Sequence, residues 1–236
     1  MVEGKIVAIS GAAGGLGPTV AQAFFKAGAT LCVGGRSLEG LTGMLDKLEV
    51  PAARRMATAV DLLDASAAKE WAAAIQKKFG RVDIVLHLVG GYKGGTTVEE
   101  IDPADWSSLS DMLVRTTLNV ARAFAALLKT GGWGRFISVT SPKVQAPTAK
   151  SALYAMGKAA SDALVLALAD ELRGTGATAN LVVVDSIDTP ETRDAQPKKA
   201  YGKSTPAEEI AAAMLFLCSD QAATINGTRL PLTGRG

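Results

Sequence analysis

The sequence predicts a doubly wound α/β fold, in which a parallel sheet of about seven strands carries helices on both faces. Short β-like runs alternate with longer helical stretches along the chain, as expected of βαβ units. Several of the runs are apolar throughout, which is typical of strands buried on both sides. With 236 residues, 48% of them hydrophobic, the chain can form one such layered domain over 1–236.

Seven segments have the length and apolar character of strands. They are Lys5–Ser10, Thr30–Gly34, Arg54–Val60, Val82–Val89, Gly134–Thr140, Ala177–Val184 and Thr228–Leu232. The stretch 185–205 follows the sixth of these and has little periodicity, so it is predicted to be a loop. Because ligands bind beyond the carboxyl ends of strands in such a sheet, we expect 185–205 to be a substrate loop.

Helix signals fall between the strands. Three prolines occupy positions that are typical of helix starts: Pro18, Pro103 and Pro206. Gly28 is placed to close the first helix. A stripe of leucines four residues apart predicts a long helix over Ser151–Gly174, with its apolar face at Leu164, Leu168 and Leu172.

Composition excludes several classes of protein. Lys plus Arg is 25 and Asp plus Glu is 23, and a net charge of +2 is too small to attract nucleic acid by bulk charge. No apolar run approaches the roughly 18 residues of a membrane span. Cys32 and Cys218 lie in apolar surroundings without ligand spacing, which predicts buried free thiols in the reducing cytoplasm. One histidine, His87, cannot build a metal site.

A glycine-rich turn joins the first predicted strand to the first helix. Its glycines let the backbone approach a ligand closely, and the helix N-terminus beyond it favours an anion. We expect a phosphate to contact Ser10, Gly11, Gly15, Leu16 and Gly17. The alternative is a plain glycine-rich βα turn.

The turn has the spacing Ser-Gly-x-x-x-Gly-x-Gly, and two further motifs follow it in order. Tyr154-x-x-x-Lys158 opens the leucine-striped helix, and Ser141 ends a strand 13 residues before Tyr154. With these residues the sequence resembles the short-chain dehydrogenase/reductase family over essentially the whole chain. The resemblance implies a Rossmann-like domain, a nicotinamide dinucleotide cofactor and a small carbonyl or alcohol substrate.

The resemblance also implies a role for each residue of the triad. Tyr154 is the general acid or base, Lys158 activates it and holds the nicotinamide ribose, and Ser141 positions the substrate oxygen. A free phenol titrates near about 10, and an ammonium one helical turn away would lower that pKa. The alternative for Tyr154 and Lys158 is an exposed helix face.

The end of the second predicted strand favours NADP over NAD. Gly35 stands where an NAD enzyme usually has an acidic residue, and Arg36 can bind a 2′-phosphate. The alternative for Arg36 is a solvated side chain. The resemblance assigns further cofactor contacts to Ser37, Asp61, Leu62, Val89, Gly90, Gly91 and Thr189. Asp61 has an alternative role as the N-cap of the next helix.

Three departures from the family pattern bear on activity. His87-Leu88-Val89-Gly90 replaces Asn-Asn-Ala-Gly, and we expect His87 to be a packed, hydrogen-bonded side chain. The usual catalytic asparagine of the following helix falls on Leu113, whereas Asn119 lies on a different helix face. Val184-Asp185 replaces Pro-Gly.

These observations predict NADP-dependent carbonyl reduction, or the reverse alcohol oxidation. The segments Tyr92–Gly95 and Pro190–Lys203 are expected to line the substrate side, although either could be a surface loop. Two alternatives remain: a pteridine or quinone reductase of the same family, and a dinucleotide-binding protein without catalysis. We expect a homodimer or homotetramer that packs through the helices Asp105–Thr130 and Ser151–Gly174.

Overall fold

A computed structural model describes residues 2–195 and 204–233 of the chain. Its main sheet has seven parallel strands in the spatial order β3-β2-β1-β4-β5-β6-β9. These are β1 (Ile6–Ser10), β2 (Thr30–Gly35), β3 (Arg55–Ala59), β4 (Ile84–His87), β5 (Gly134–Thr140), β6 (Ala177–Val183) and β9 (Arg229–Pro231). The predicted seven-stranded doubly wound sheet is confirmed.

Eight α-helices surround the sheet within the described residues. They are α1 (Gly17–Lys26), α2 (Leu38–Lys47), α3 (Ala65–Phe79), α4 (Pro103–Ser110), α5 (Thr116–Thr130), α6 (Ala152–Glu171), α7 (Pro190–Ala195) and α8 (Ala207–Leu217). A π-helical segment, Asp111–Arg115, joins α4 to α5 without a break. Pro18 and Pro103 lie in the first turns of α1 and α4, and Pro206 precedes α8, as predicted.

Alternating side chains of the strands divide the core between the two faces of the sheet. Val7 and Ile9 point to one face, where they pack in a cluster with α1 and α8. Ala8, between them, points to the other face and joins the cluster formed with α3, α5 and α6. Cys32 and Cys218 are buried free thiols in these cores, as expected.

The region after β6 departs from the predicted loop. Ser186–Asp188 (β7) pairs in parallel with Ser204–Pro206 (β8) to form a separate two-stranded sheet. The short helix α7 lies between them along the chain. Backbone pairing between distant residues, rather than side-chain periodicity, creates β7 and β8, so the sequence pattern contained no signal for them. Residues 196–203 of the predicted substrate segment lie outside the described residues.

Strand β4 is shorter than the predicted Val82–Val89. Asp83 precedes the strand and its carboxylate accepts a hydrogen bond from the Ile6 backbone N–H at 2.8 Å. After His87 the backbone N–H of Leu88 still donates to the Ser10 carbonyl, and the chain then leaves the sheet. The apolar run therefore continues beyond the paired residues.

Helix α6 is long and apolar enough, by length and composition, to cross a membrane, whereas the sequence was expected to contain no such segment. The expectation considered only unbroken apolar runs, and this helix carries Ser161 and Asp162 among its apolar residues. Half of its 18-residue apolar window is buried inside the protein. That burial is typical of the core helix of a globular domain.

Packing of β2 against α3 leaves no room for a side chain at Gly34. A Cβ atom at this position would lie 2.7 Å from Cζ2 of Trp71, which is itself buried. We expect Gly34→Ala to lower the free energy of unfolding by about 1–3 kcal/mol, because a close-packed ring cannot move away. Urea denaturation measures the change.

Gly43→Ala provides the matched control. Gly43 lies inside α2, and nothing lies within 4 Å of a Cβ built there. This variant should gain about 0.5–1 kcal/mol from helix propensity. Equal stability of the two variants would contradict the packing of Trp71 on β2.

Candidate active site

A cavity of about 580 Å³ lies beyond the carboxyl ends of β1, β4, β5 and β6. The strand order reverses between β1 and β4, and this is where doubly wound sheets bind ligands. Eight of the predicted site residues line the cavity together with Tyr154 and Lys158: Gly11, Gly15, Leu16, Gly17, Val89, Gly90, Gly91 and Thr189.

The glycine-rich turn forms one wall of this cavity. Gly11 has a φ of +75°, and a Cβ atom on it would lie 2.9 Å from the Val89 backbone nitrogen. A Cβ atom on Gly17 would lie 2.0 Å from the Ala12 carbonyl oxygen. Gly15 is different, because its Cβ position makes only an ordinary contact of 3.6 Å with Thr189.

The start of α1 suits an anion. Its N-cap residue, Leu16, offers no side-chain hydrogen bond to the free N–H groups of the first turn. Those N–H groups and the positive end of the helix dipole are aligned with the glycine-rich turn. This cradle fits the phosphates of a dinucleotide, and a second wall with Tyr154 and Lys158 lies on the other side of the cavity.

Tyr154 and Lys158 lie one turn apart on α6, and Ser141 follows β5. The Ser141 side chain is buried, and its hydroxyl group is near enough to the Tyr154 phenol to lower the pKa of that phenol. It also accepts a hydrogen bond from the Lys143 backbone N–H at 3.3 Å. The Lys158 ammonium donates to the Val139 carbonyl at 2.8 Å. The structure thus brings together the three residues of the predicted triad.

The pKa of Tyr154 differs from the sequence-based expectation. Burial raises this pKa above its usual value, and the nearby Ser141 side chain opposes the effect. The negative charge of Asp185 adds to the rise. The expected lowering by Lys158 is absent from this geometry, in which the ammonium donates to the Val139 carbonyl. Burial also lowers the pKa of Lys158, to about 8.

The remaining predicted cofactor residues lie outside the cavity wall. Ser10 is buried, and its hydroxyl group bonds to His87. Ser37 caps α2 by accepting from the Gly40 N–H at 3.1 Å. Arg36 and Asp61 are exposed beyond the ends of β2 and β3. Leu62 is buried.

The alternative role of Asp61 as a helix N-cap is wrong. Asp61 accepts a hydrogen bond from the Leu63 N–H at 3.0 Å, which forms a turn before α3. Asp64 is the N-cap of α3 and accepts from Ser66 and Ala67. Two aspartates three residues apart both precede the helix, so the sequence alone did not distinguish them.

His87 is the packed histidine that the sequence predicted. Its Nδ1 lies 2.8 Å from the Ser10 hydroxyl, and its Nε2 lies 3.0 Å from the Thr117 hydroxyl. Burial, with a smaller contribution from the charge of Lys158, lowers its pKa to about 3. The ring is therefore neutral at pH 7, and it joins β1 and β4 to α5.

Leu113 lies in the π-helical segment, which packs against the triad helix α6. Its side chain packs against Gly157, where a Cβ atom would lie 2.9 Å from Leu113 Cδ1. Its carbonyl oxygen accepts two hydrogen bonds, from the hydroxyls of Thr117 at 2.6 Å and Ser161 at 2.7 Å. These bonds use both lone pairs, so neither this side chain nor its carbonyl is available to hold a relay water.

Asn119 does not substitute for the missing asparagine. Its amide donates to the carbonyl of Leu62 at 2.8 Å, and it is buried between α5 and the segment after β3. This location agrees with its prediction on a different helix face.

Sequence reasoning missed the charged groups around the triad. Lys143 and Asp185 both line the cavity, with 3.9 Å between their charged atoms. Asp162 is buried one turn beyond Lys158 on α6. The spacing of Asp162 was a usable signal, since it continues the interval of four residues from Tyr154 to Lys158. Tyr92, which was expected at the substrate side, meets the Tyr154 ring edge-to-face at 5.1 Å.

Comparison with known proteins indicates an oxidoreductase, in agreement with the fold and the site. A family described as enoyl-(acyl carrier protein) reductase matches residues 11–234. Meso-2,3-butanediol dehydrogenase of Serratia marcescens is 29% identical over 242 residues, covering 98% of this chain and 94% of that enzyme.

Two solved structures are similar over nearly the whole chain. A short-chain type dehydrogenase/reductase from Mycobacterium ulcerans has a TM-score of 0.90 at 23% identity, covering 99% of this chain and 90% of that one. A 3-ketoacyl-(acyl-carrier-protein) reductase from Brucella melitensis complexed with NADH has a TM-score of 0.86 at 26% identity, covering 100% and 99%.

The fold and these relatives define a Rossmann-type oxidoreductase. The chain belongs to the short-chain dehydrogenase/reductase family. It is an NAD(P)-dependent oxidoreductase that transfers a hydride between nicotinamide and a carbonyl or alcohol substrate.

The buried neutral His87 makes a prediction about stability. Because its folded pKa of about 3 is below the ordinary value of 6.5, its contribution to stability is present above pH 6.5 and is lost as the pH falls. At 1.36 kcal/mol per pH unit, the loss between pH 7 and pH 5 is about 2 kcal/mol. We expect urea unfolding to show this loss in the wild type and a flatter pH dependence in His87→Gln. Identical slopes would show that His87 is not held neutral.

Proposed function

We propose that this protein reduces a small carbonyl compound, or oxidises the corresponding alcohol, with Tyr154 as general acid or base and with NADP preferred over NAD. The observation that carries the proposal is that Tyr154 and Lys158 line the same cavity as the glycine-rich turn, with the buried Ser141 next to Tyr154. The turn supplies an anion cradle, and the triad supplies a proton donor, a cation and a hydroxyl. Together these groups match the needs of hydride transfer to a carbonyl carbon.

Each group of the triad has a distinct task. The Tyr154 phenol donates its proton to the substrate oxygen as the carbonyl is reduced. The Ser141 hydroxyl, which lies near the Tyr154 phenol, holds that oxygen in place. Lys158 would stabilise the tyrosinate that remains once its ammonium turns from the Val139 carbonyl towards the phenol. When bound, the nicotinamide supplies the hydride in reduction and accepts it in oxidation.

The residues of the cradle would hold the dinucleotide. Gly11 and Gly17 cannot be replaced without a clash inside the protein, whereas Gly15 leaves its Cβ position open beside Thr189. The phosphates would therefore meet backbone N–H groups at the start of α1. Val89, Gly90 and Lys158 would contact the nicotinamide ribose end, and Asp61 and Leu62 the adenine.

The preference for NADP rests on the end of β2. Arg36 is exposed, and its neighbour Gly35 has no atom of another residue closer than 3.8 Å to its Cβ position, where Leu41 lies. Gly35 presents no carboxylate to a 2′-phosphate, and the Arg36 guanidinium can bind that phosphate with two charge-assisted hydrogen bonds. Ser37 follows at the start of α2, where the helix dipole also favours an anion.

The substitution at Leu113 supports a second candidate, a dinucleotide-binding protein without turnover. With the Leu113 carbonyl saturated, proton supply to Tyr154 must pass through Lys158 or directly from the open cavity. We therefore expect slow turnover rather than none. A cytoplasmic location and assembly into a homodimer or homotetramer through α4, α5 and α6 remain predictions of the sequence.

Removing the Tyr154 hydroxyl separates the enzyme from the binding protein. Tyr154→Phe keeps the ring and its contact with Tyr92 but cannot donate a proton. We expect kcat to fall by about 10² to 10⁴ and the Kd for NADPH to change by less than about threefold. Ketones, quinones and 3-oxoacyl thioesters should be screened by NADPH absorbance, and a thermal melt should confirm the fold. Unchanged turnover would refute the role of Tyr154; NADPH binding with no turnover of any compound by the wild type would favour the second candidate.

The cofactor preference has its own test at Arg36. Arg36→Ala should weaken NADPH by about tenfold or more, as expected for a lost hydrogen bond to a charged group, and leave NADH nearly unchanged. Fluorescence titration of both cofactors gives the ratio. Arg122→Ala, an exposed arginine on α5, is the control. If the wild type binds NADH as tightly as NADPH, Arg36 does not select the cofactor.

A further inference from the structure

Asp162 continues the line of Tyr154 and Lys158 along α6. The three residues are spaced by four, so their side chains lie on one face of the helix, each about 5–6 Å from the next at Cβ. Asp162 is 1% exposed and does not line the cavity. A carboxylate so deeply buried is costly unless a nearby charge compensates for it.

One cation contacts the Asp162 carboxylate, and a second belongs to the preceding turn of the same helix. The Arg229 guanidinium at the start of β9 is 3.2 Å from Oδ2 and approaches from the sheet. The Lys158 ammonium comes from the preceding turn of α6. Burial raises the pKa of Asp162, and the Thr140 hydroxyl, the Arg229 guanidinium and the Lys158 ammonium oppose that rise. Within the described residues neither carboxylate oxygen makes a hydrogen bond of standard geometry. The carboxylate therefore acts through its charge.

Lys158 needs such a charge. Its side chain is buried, and among the described residues its ammonium donates to one acceptor, the Val139 carbonyl. Burial lowers its pKa to about 8, and Asp162 opposes that effect. Without a compensating carboxylate, a buried lysine loses its proton still more readily.

The other groups that face this cluster do not supply the charge. His87 on β4 is neutral above pH 6, since its pKa is about 3. Arg229 on β9 is a cation, so its charge disfavours the protonated form of Lys158. Asp185 lines the cavity and Tyr92 contacts the Tyr154 ring, and both raise the pKa of Tyr154, as Asp162 itself does.

We propose that Asp162 is a positioning residue that supplies the negative charge which keeps the buried Lys158 ammonium charged beside Tyr154. The inference rests on the proposed function, because it assigns a source for the cation that this function requires. With Asp162 the site extends by one helical turn along α6 beyond Tyr154 and Lys158. Arg229 forms an ion pair with Asp162 at the far end.

Loss of the Asp162 charge shifts the titration in the same direction whether Tyr154 or Lys158 loses its proton first. Removal of a negative charge makes loss of a proton easier for both Tyr154 and Lys158. The first deprotonation of the pair must therefore move to lower pH in Asp162→Asn. For an opposite charge at this range the shift is about one pH unit.

The test observes Lys158 directly, without substrate or cofactor. In protein labelled with ¹³C at lysine Cε, the Lys158 resonance is the one missing from Lys158→Met. We expect its titration midpoint near pH 8 in the wild type and about one unit lower in Asp162→Asn. Asp170→Asn, on the same helix and exposed, should leave the midpoint unchanged.

An unchanged midpoint in Asp162→Asn would overturn the proposal, because it would mean that Asp162 is neutral or too weakly coupled. Asn is nearly isosteric with Asp; if this variant does not fold, Asp162→Ser has the same expectation. In the active enzyme, the alkaline limb of the kcat profile should move down with the Lys158 midpoint. A shifted midpoint in a protein that turns nothing over would leave the proposal standing and refute the proposed function instead.

Discussion

The site depends on a close backbone contact between the first turn and the end of the fourth strand. Gly11 lies so near Leu88 and Val89 that a Cβ atom would approach their backbone to 2.9 Å. This contact holds the glycine-rich turn against the end of β4, on the side of the sheet where Lys158 and Tyr154 also lie. A larger residue would separate the two walls, and the anion cradle would no longer face the proton donor.

Burial away from water determines which groups near the cavity are charged. His87 loses its charge to burial, and Lys158 keeps a pKa of about 8. Both groups are bonded to the protein rather than to water, His87 through two hydroxyls and Lys158 through the Val139 carbonyl. An ionised group in this region therefore needs a charged neighbour, and Asp162 and Arg229 provide one for each other.

The departures from the family pattern are accommodated by packing. Leu113 fills the space above Gly157, and its carbonyl is occupied by the hydroxyls of Thr117 and Ser161. His87 replaces an asparagine with a ring that hydrogen-bonds at both nitrogens. The packing of the fold therefore accommodates both Leu113 and His87.

The sequence by itself determined the parallel sheet, the helices and the alignment of Tyr154 with Lys158, since these follow from hydrophobic period and from spacing along one helix. It also predicted that His87 is packed and that Leu113, not Asn119, stands beside the triad. Only the tertiary structure decided the pairing of β7 with β8, the contact of Asp162 with Arg229 and the direction of the Tyr154 pKa. The reason is physical: local periodicity records which face of an element is buried, but desolvation and charge depend on groups that come from distant segments and meet only in the folded chain.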